Sequence, residues 1–183
     1  MTRRRVTVFG SSRPVAGTPG YEQAYQIGRI IAEHQWELVN GGYSGTMEAS
    51  ARGAREAGGQ VTGITVQTFT YARPNPFLTR EISTATLFER LETLIRWGDL
   101  YVVLPGGTGT LVELGLVWEF CHKSAAVKPI LVDNFWQPLF QLLAEEVPSV
   151  PLLAAGRPLE PTPALSTDLP RDLVRVLAVR TGP

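Results

Sequence analysis

The chain has 183 residues, no formal net charge at pH 7, and 44% hydrophobic and 19% charged residues. This length is expected to form one domain over residues 1–183 with a substantial core, and the charge balance gives no electrostatic ground for binding nucleic acid or a membrane surface. The single cysteine, Cys121, excludes an intrachain disulfide. No apolar run is long enough to span a bilayer. Arg3-Arg4-Arg5 is followed by an apolar run, Val6 to Phe9, too short for a signal peptide core. A cytoplasmic protein is therefore expected.

In chain order, Val6-Thr7-Val8-Phe9 reads as a first strand that runs into Gly10-Ser11-Ser12. Helical spacing follows over residues 20–35, with Ala24, Ile27, Ile30 and Ile31 on one face. Trp36-Glu37-Leu38-Val39 reads as a second strand ending in Asn40-Gly41-Gly42-Tyr43-Ser44-Gly45. A helix of small residues is expected from Thr46 to Ala57, stopped by Gly58-Gly59. Val61 to Val66 is a third strand. Residues 67–80 contain Pro74 and Pro76 and read as a long loop, a feature that in a compact domain points to function. Thr86-x-x-Glu89 is a capping box that opens a helix to Trp97, with Gly98 as its stop. A fourth strand at 100–104, a glycine loop, a helix to Lys123, a fifth strand from Lys128 to Val132 and a helix from Trp136 to Val147 follow. Residues 148–166 are proline-rich and lack periodicity, and Asp168-Leu169-Pro170 starts a final helix.

Strands that alternate with helices predict an α/β fold: a Rossmann-like, doubly wound parallel sheet with helices on both faces. Ligands of such sheets bind outside the carboxyl ends of the strands. The strands ending at 9, 39 and 104 all finish in Gly/Ser loops, which are expected to share one edge and converge on one ligand.

The third of these loops carries the most chemistry. Leu104-Pro105-Gly106-Gly107-Thr108-Gly109-Thr110 joins a strand to a helix, and small residues there let backbone N–H groups approach an anion at a helix N-terminus. It is neither a Walker A motif nor Gly-x-Gly-x-x-Gly. Gly41-Gly42-Tyr43-Ser44-Gly45-Thr46 repeats the design, so a nucleotide or sugar phosphate spanning both loops is expected. Glu113 has two readings. It completes a Thr110-x-x-Glu113 capping box, or it is a functional carboxylate on a helix whose Leu111, Val112, Leu114, Leu116, Val117, Trp118 and Phe120 cover nearly every face, so that the helix is expected to be buried. A carboxylate beside a phosphate site suggests chemistry at an attached sugar. Arg90 lies about 40° around its helix from Leu94, at the edge of the Leu87, Leu91, Leu94, Ile95 stripe. It is either the partner of Glu113 or an arginine snorkelling over the core. Asp99 reads as a structural turn residue. His34 and His122 have no acids or thiols clustered around them, so no metal site is expected.

Pro105-Gly106-Gly107-Thr108-Gly109-Thr110-Leu111-Val112-Glu113 matches the Pro-Gly-Gly-x-Gly-Thr-x-x-Glu signature of the Lonely Guy (LOG) proteins, and the chain resembles that family over most of its length. These are cytokinin riboside 5′-monophosphate phosphoribohydrolases, long mislabelled as lysine decarboxylases. Val8-Phe9-Gly10-Ser11-Ser12, the segment Asn40 to Gly59 and Glu89-Arg90 support the resemblance. It implies hydrolysis of the N-glycosidic bond of a nucleoside 5′-monophosphate, without a cofactor, by a homodimer. Arg90 and Glu113 are the implied catalytic residues. Gly106, Gly107, Thr108, Gly109 and Thr110 are implied to hold the phosphate, with Gly10, Ser11, Ser12, Gly41, Gly42, Gly45, Thr46 and Met47 completing the substrate site. The chain departs from the family at Leu91, where lysine is usual, and at Phe88, where histidine is common. The segments around Asn40–Gly59 and Asn75-Pro76 also resemble molybdenum-cofactor carrier proteins, which bind without turnover. A pyridoxal-dependent decarboxylase needs a Schiff-base lysine, and Lys123 and Lys128 are expected to lie outside the glycine edge.

Overall fold

The computed structural model describes residues 3–123, 128–143 and 164–180. Seven strands form one sheet: β1 (Arg5–Phe9), β2 (Glu37–Asn40), β3 (Val61–Val66), β4 (Arg80–Thr84), β5 (Leu100–Val103), β6 (Ile130–Asp133) and β7 (Ala164–Ser166). Their order is β4-β3-β2-β1-β5-β6-β7, and every pairing is parallel. The helices are α1 (Pro19–Glu33), α2 (Thr46–Glu56), α3 (Leu87–Trp97), α4 (Thr108–Lys123), α5 (Gln137–Leu143) and α6 (Leu169–Arg180).

The α/β reading and the parallel sheet are as expected. Successive strand residues point to opposite faces, and each face has its own core. Val6, Val8, Leu100 and Val102 pack with Ile27 and Ile31 of α1, Ala49 of α2 and Leu173 of α6. Phe9, Tyr101 and Val103 pack with Leu94 of α3, Leu114 and Val117 of α4 and Phe140 of α5. Two covered faces explain why β3 and β5 are buried from end to end.

Two strands depart from the expectation. Arg80–Thr84, just beyond the proline-containing loop, pairs with β3 as an edge strand. Ala164–Ser166, inside the segment read as lacking periodicity, pairs with β6 at the other edge. β7 is buried but only three residues long, too short to show a period. β4 is mostly exposed. The helix read from Trp136 to Val147 is a 3-10 turn at Asn134–Trp136 followed by α5, and residues 144–147 lie outside the described residues. The capping box at Thr86 is present: its side chain accepts from Glu89 N at 3.1 Å. Asp99 is the structural turn residue expected, accepting from Arg5 N at 2.9 Å.

Helices α1 and α2 touch backbone to backbone. A Cβ on Gly28 would lie 1.9 Å from Ser50 O, and one on Gly53 would lie 2.0 Å from Tyr25 O. Neither carbonyl can move without moving its helix. Gly28→Ala and Gly53→Ala should each cost about 2–3 kcal/mol of stability, read from urea unfolding midpoints at unchanged slope.

Candidate active-site cleft

β1 is flanked by β2 and β5, so the chain reverses its winding between β1 and β5. That switch point opens a crevice at the carboxyl edge. The three glycine loops are joined there by backbone hydrogen bonds. Ser11 N donates to Pro105 O at 3.1 Å, and Ser11 O accepts from Thr46 N at 2.9 Å and from Thr46 Oγ1 at 3.0 Å. Buried Asn40 shapes the loop after β2: its Oδ1 accepts from Gly42 N at 2.8 Å and its Nδ2 donates to Met47 O at 2.8 Å. Gly45 turns at φ 71°, and a Cβ there would lie 2.3 Å from Ser11 O, so only glycine lets the first two loops meet.

The loop after β5 runs straight into α4. The first bond within that helix is Leu111 N to Gly107 O at 3.0 Å. The amides of Thr108, Gly109 and Thr110 therefore lie in the first turn, where no preceding helical carbonyl exists to receive them. Gly106 packs against Thr110, but a Cβ on Gly107 or Gly109 would meet nothing within 4 Å. Their smallness leaves an open surface over the helix N-terminus.

Glu113 is not a cap. α4 begins at Thr108, so Glu113 lies in its second turn, one turn behind Gly109 on the same face. Its side chain is 12% exposed, and burial pushes its carboxyl up to about 7 against the opposing charge of Arg90. Arg90 does not snorkel. It is 6% exposed and sends Nε to Ile64 O at 2.8 Å and Nη2 to Gly41 O at 3.3 Å. Its Nη1 stands 3.9 Å from Glu113 Oε1, beyond hydrogen-bond length, and its guanidinium lies 5.6 Å from the centre of the Tyr43 ring. The arginine is thus bound to two backbone carbonyls and supports Glu113 by charge alone.

A cleft of 1190 Å³ opens over these groups. Of the residues expected from the sequence, Gly10, Ser11, Ser12, Gly41, Met47, Arg90, Gly106, Gly107, Thr108, Gly109, Thr110 and Glu113 line it. Gly42, Gly45 and Thr46 do not. Gly42 packs on Gly63, Gly45 on the Ser11–Ser12 backbone, and Thr46 is buried in the seam. Tyr43, inside the expected Gly41–Thr46 loop, lines it too, and so do Arg13, Phe69, Tyr71, Arg73 and Phe135, which the sequence motifs did not single out. The flag on residues 67–80 was the available signal for three of them. With Arg13, Arg73 and Arg90 on its walls and Glu113 as the sole carboxylate among its lining residues, the cleft suits an anion. Neither lysine lines it: Lys123 is exposed at the far end of α4, and Lys128 Nζ donates to Gly98 O at 2.7 Å, at the start of β5.

Within the single chain, helix α4 is buried on one face, and the apolar residues of its other faces are left uncovered by the sheet. Leu114, Val117 and Cys121 pack on the sheet, whereas Leu111, Val112, Leu116 and Phe120 are exposed. A sheet covers one side of a helix, and the remaining apolar side here faces outward. Among the described residues no helix is long and apolar enough to cross a membrane, and no group of three or more His, Cys, Asp or Glu side chains converges.

Residues 3–142 match the model of the SLOG cluster4 family. A Rhodococcoides fascians protein named cytokinin riboside 5′-monophosphate phosphoribohydrolase is 34% identical over 149 residues, 78% of this chain and 75% of its own. A Mycobacterium tuberculosis protein of the same name is 35% identical over 117 residues, 63% of each chain. Among solved structures, the molybdenum cofactor binding protein from Rippkaea orientalis aligns with a TM-score of 0.75 at 22% identity, over 100% of this chain and 99% of its own. A structural-genomics target aligns with a TM-score of 0.73 at 26% identity, over 96% and 99%. The chain therefore belongs to the SLOG cluster4 family, with LOG phosphoribohydrolases among its relatives.

Proposed function

We propose that the protein hydrolyses the N-glycosidic bond of a nucleoside 5′-monophosphate, releasing free base and ribose 5-phosphate. The supporting observation is the placement of Glu113. It is a nearly buried carboxylate one helical turn behind an anion cradle, with a cation 3.9 Å away. A protein that only held phosphate would gain nothing from a negative charge there.

In this reading the amides of the first turn of α4 and the Thr108 and Thr110 hydroxyls hold the 5′-phosphate, which sets C1′ beside Glu113. As the C1′–N bond breaks, positive charge grows on C1′ and the ring oxygen. Ionised Glu113 offsets that charge. Water gives its hydroxyl to C1′ and its proton, by way of Glu113, to the departing base. Arg90 is too basic to be a proton donor. It orients Glu113 and favours its ionised form.

The alternative is a carrier of a nucleotide or of the molybdenum cofactor without turnover. Leu91, buried where LOG proteins usually have lysine, favours it. Incubation with adenosine 5′-monophosphate and detection of free adenine decides between the two.

Glu113→Gln should reduce base release by roughly 10²–10⁴-fold while ribose 5-phosphate still binds. Because the ionised carboxylate is the active form, kcat/KM should fall tenfold per pH step below about 7. The sign for stability is opposite. The folded-state carboxyl titrates above its unfolded value of 4.5, so its contribution is favourable below 4.5 and is lost as pH rises through 7. Glu113→Gln should therefore raise stability by about 3 kcal/mol at pH 8 and change little at pH 4, as read by chemical unfolding.

Arg90→Ala removes the charge that opposes burial, so the acidic limb should move to higher pH and kcat at pH 7 should drop by at least about tenfold. Gly41→Ala should reproduce that phenotype, because its Cβ would fall 1.9 Å from Arg90 Nη2 and displace the guanidinium. A pH–rate profile of either variant superimposed on the unmodified one would refute the role given to Arg90.

The exposed apolar side of α4 is proposed to pack on its mate in a two-fold homodimer. Leu116→Glu should place a charge in that contact and leave a monomer at micromolar concentration, measured by sedimentation, while the unmodified protein sediments as a dimer.

A further inference from the structure

The proposed reaction leaves one wall of the cleft without a task. Tyr43, Phe69 and Tyr71 form a ladder of rings that starts at the catalytic pair and ends in solvent. Arg90 lies 5.6 Å from the Tyr43 ring, Tyr43 lies 5.9 Å from Phe69, and Phe69 stacks on Tyr71 at 5.7 Å with planes 26° apart. All three rings line the cleft. Tyr71 is 83% exposed.

A lone exposed tyrosine on a loop needs no explanation. This one is held in place. Asn75, 6% exposed, ties the loop to the segment after β2: its N donates to Gly42 O at 2.8 Å and its Nδ2 to Tyr43 O at 3.0 Å. The Tyr43 hydroxyl accepts from Val66 N at 2.9 Å and donates to Val66 O at 3.2 Å, closing the other end. Turn bonds from Phe69 N to Val66 O and from Ala72 N to Phe69 O set the two outer rings side by side. The platform is built before any ligand arrives.

Its place in the sheet says what it receives. The phosphate cradle follows β5, the Ser11 loop β1, the Tyr43 loop β2 and the Phe69–Tyr71 loop β3, so the cleft runs across three strand spacings, about 14 Å. Glu113 and Arg90 stand between its two ends. A ligand with its phosphate on the cradle and its C1′ at Glu113 sends its next group toward the rings.

We propose that Phe69 and Tyr71 are the specificity-determining wall for the base, which stacks flat on the free face of Tyr71. This rests on the nucleotide reading above. It makes the loop after β3, and not only the glycine loops, the element that selects among planar bases.

The test compares two ligands that differ only in the base: ribose 5-phosphate, and formycin 5′-monophosphate, whose purine-like base is joined through carbon and cannot be hydrolysed. Tyr71→Ala should weaken formycin 5′-monophosphate by about tenfold and leave ribose 5-phosphate within about twofold, whereas Tyr71→Phe keeps both. Phe69→Ala should act in the same direction. Equal loss of both ligands in Tyr71→Ala, no loss of either, or loss of base affinity in Phe135→Ala instead would overturn the platform and leave the phosphate site standing. Failure of the unmodified protein to bind either ligand would remove the nucleotide reading, and this inference with it.

Discussion

The backbone of Ser11 holds the site together. Its N–H and C=O join the loop after β5 to the loop after β2, and it can do so only because β1 lies between β5 and β2 in the sheet. A parallel sheet that reverses its winding at β1 leaves two helices diverging above that point. Into this gap project the cradle from one side and the Asn40-shaped loop from the other. The close backbone contact of α1 with α2 fixes the first two loops, since each helix continues from one of them. Without that seam the cradle would remain a helix N-terminus like any other, with no wall facing it.

Electrostatics gives the cleft its character. Three arginines on its walls favour an anion, yet they share the cleft with a carboxylate that burial makes harder to ionise. Arg90 relieves this only in part. Its hydrogen bonds go to Ile64 O and Gly41 O, which leaves charge, not a bidentate pair, between it and Glu113. A fold optimised for stability alone would pair the two groups directly or replace both. The looser arrangement keeps the carboxylate open to the cleft and poised near neutral pH, the condition for taking and returning a proton. The exposed side of α4 shows a similar tension, since Leu111, Val112, Leu116 and Phe120 lie on the outer surface of the helix that carries Glu113.

Much of this was legible residue by residue. The covered strands were readable because both of their faces are buried, and the capping box at Thr86 because its bonds are local. Arg90 stood out from its angle to Leu94. The errors have physical causes. The edge strand β4 carries little apolar pattern because little of it is covered, and β7, although buried, is only three residues long. Thr110-x-x-Glu113 has the spacing of a cap, but α4 starts two residues before Thr110. The apolar residues of α4 signal burial equally well whether a sheet or another chain provides it. Gly42, Gly45 and Thr46 resemble ligand-binding residues because close backbone packing selects the same small residues as close approach to a phosphate.

Read alone, the chain specifies the alternation of strand and helix, the cradle behind β5, and the two charged groups suited to work beside it. Hydrophobic periodicity and turn chemistry are local, so they are written in neighbouring residues. What the chain read alone leaves open is which loops meet. The strand order brings Gly41 and Ile64 to Arg90, and it brings Tyr43 to Phe69 along the cleft wall beyond Arg90 and Glu113. The contacts of Arg90 with Gly41 and Ile64 and of Tyr43 with Phe69 join residues far apart in the sequence, and they exist only once the sheet has formed around β1.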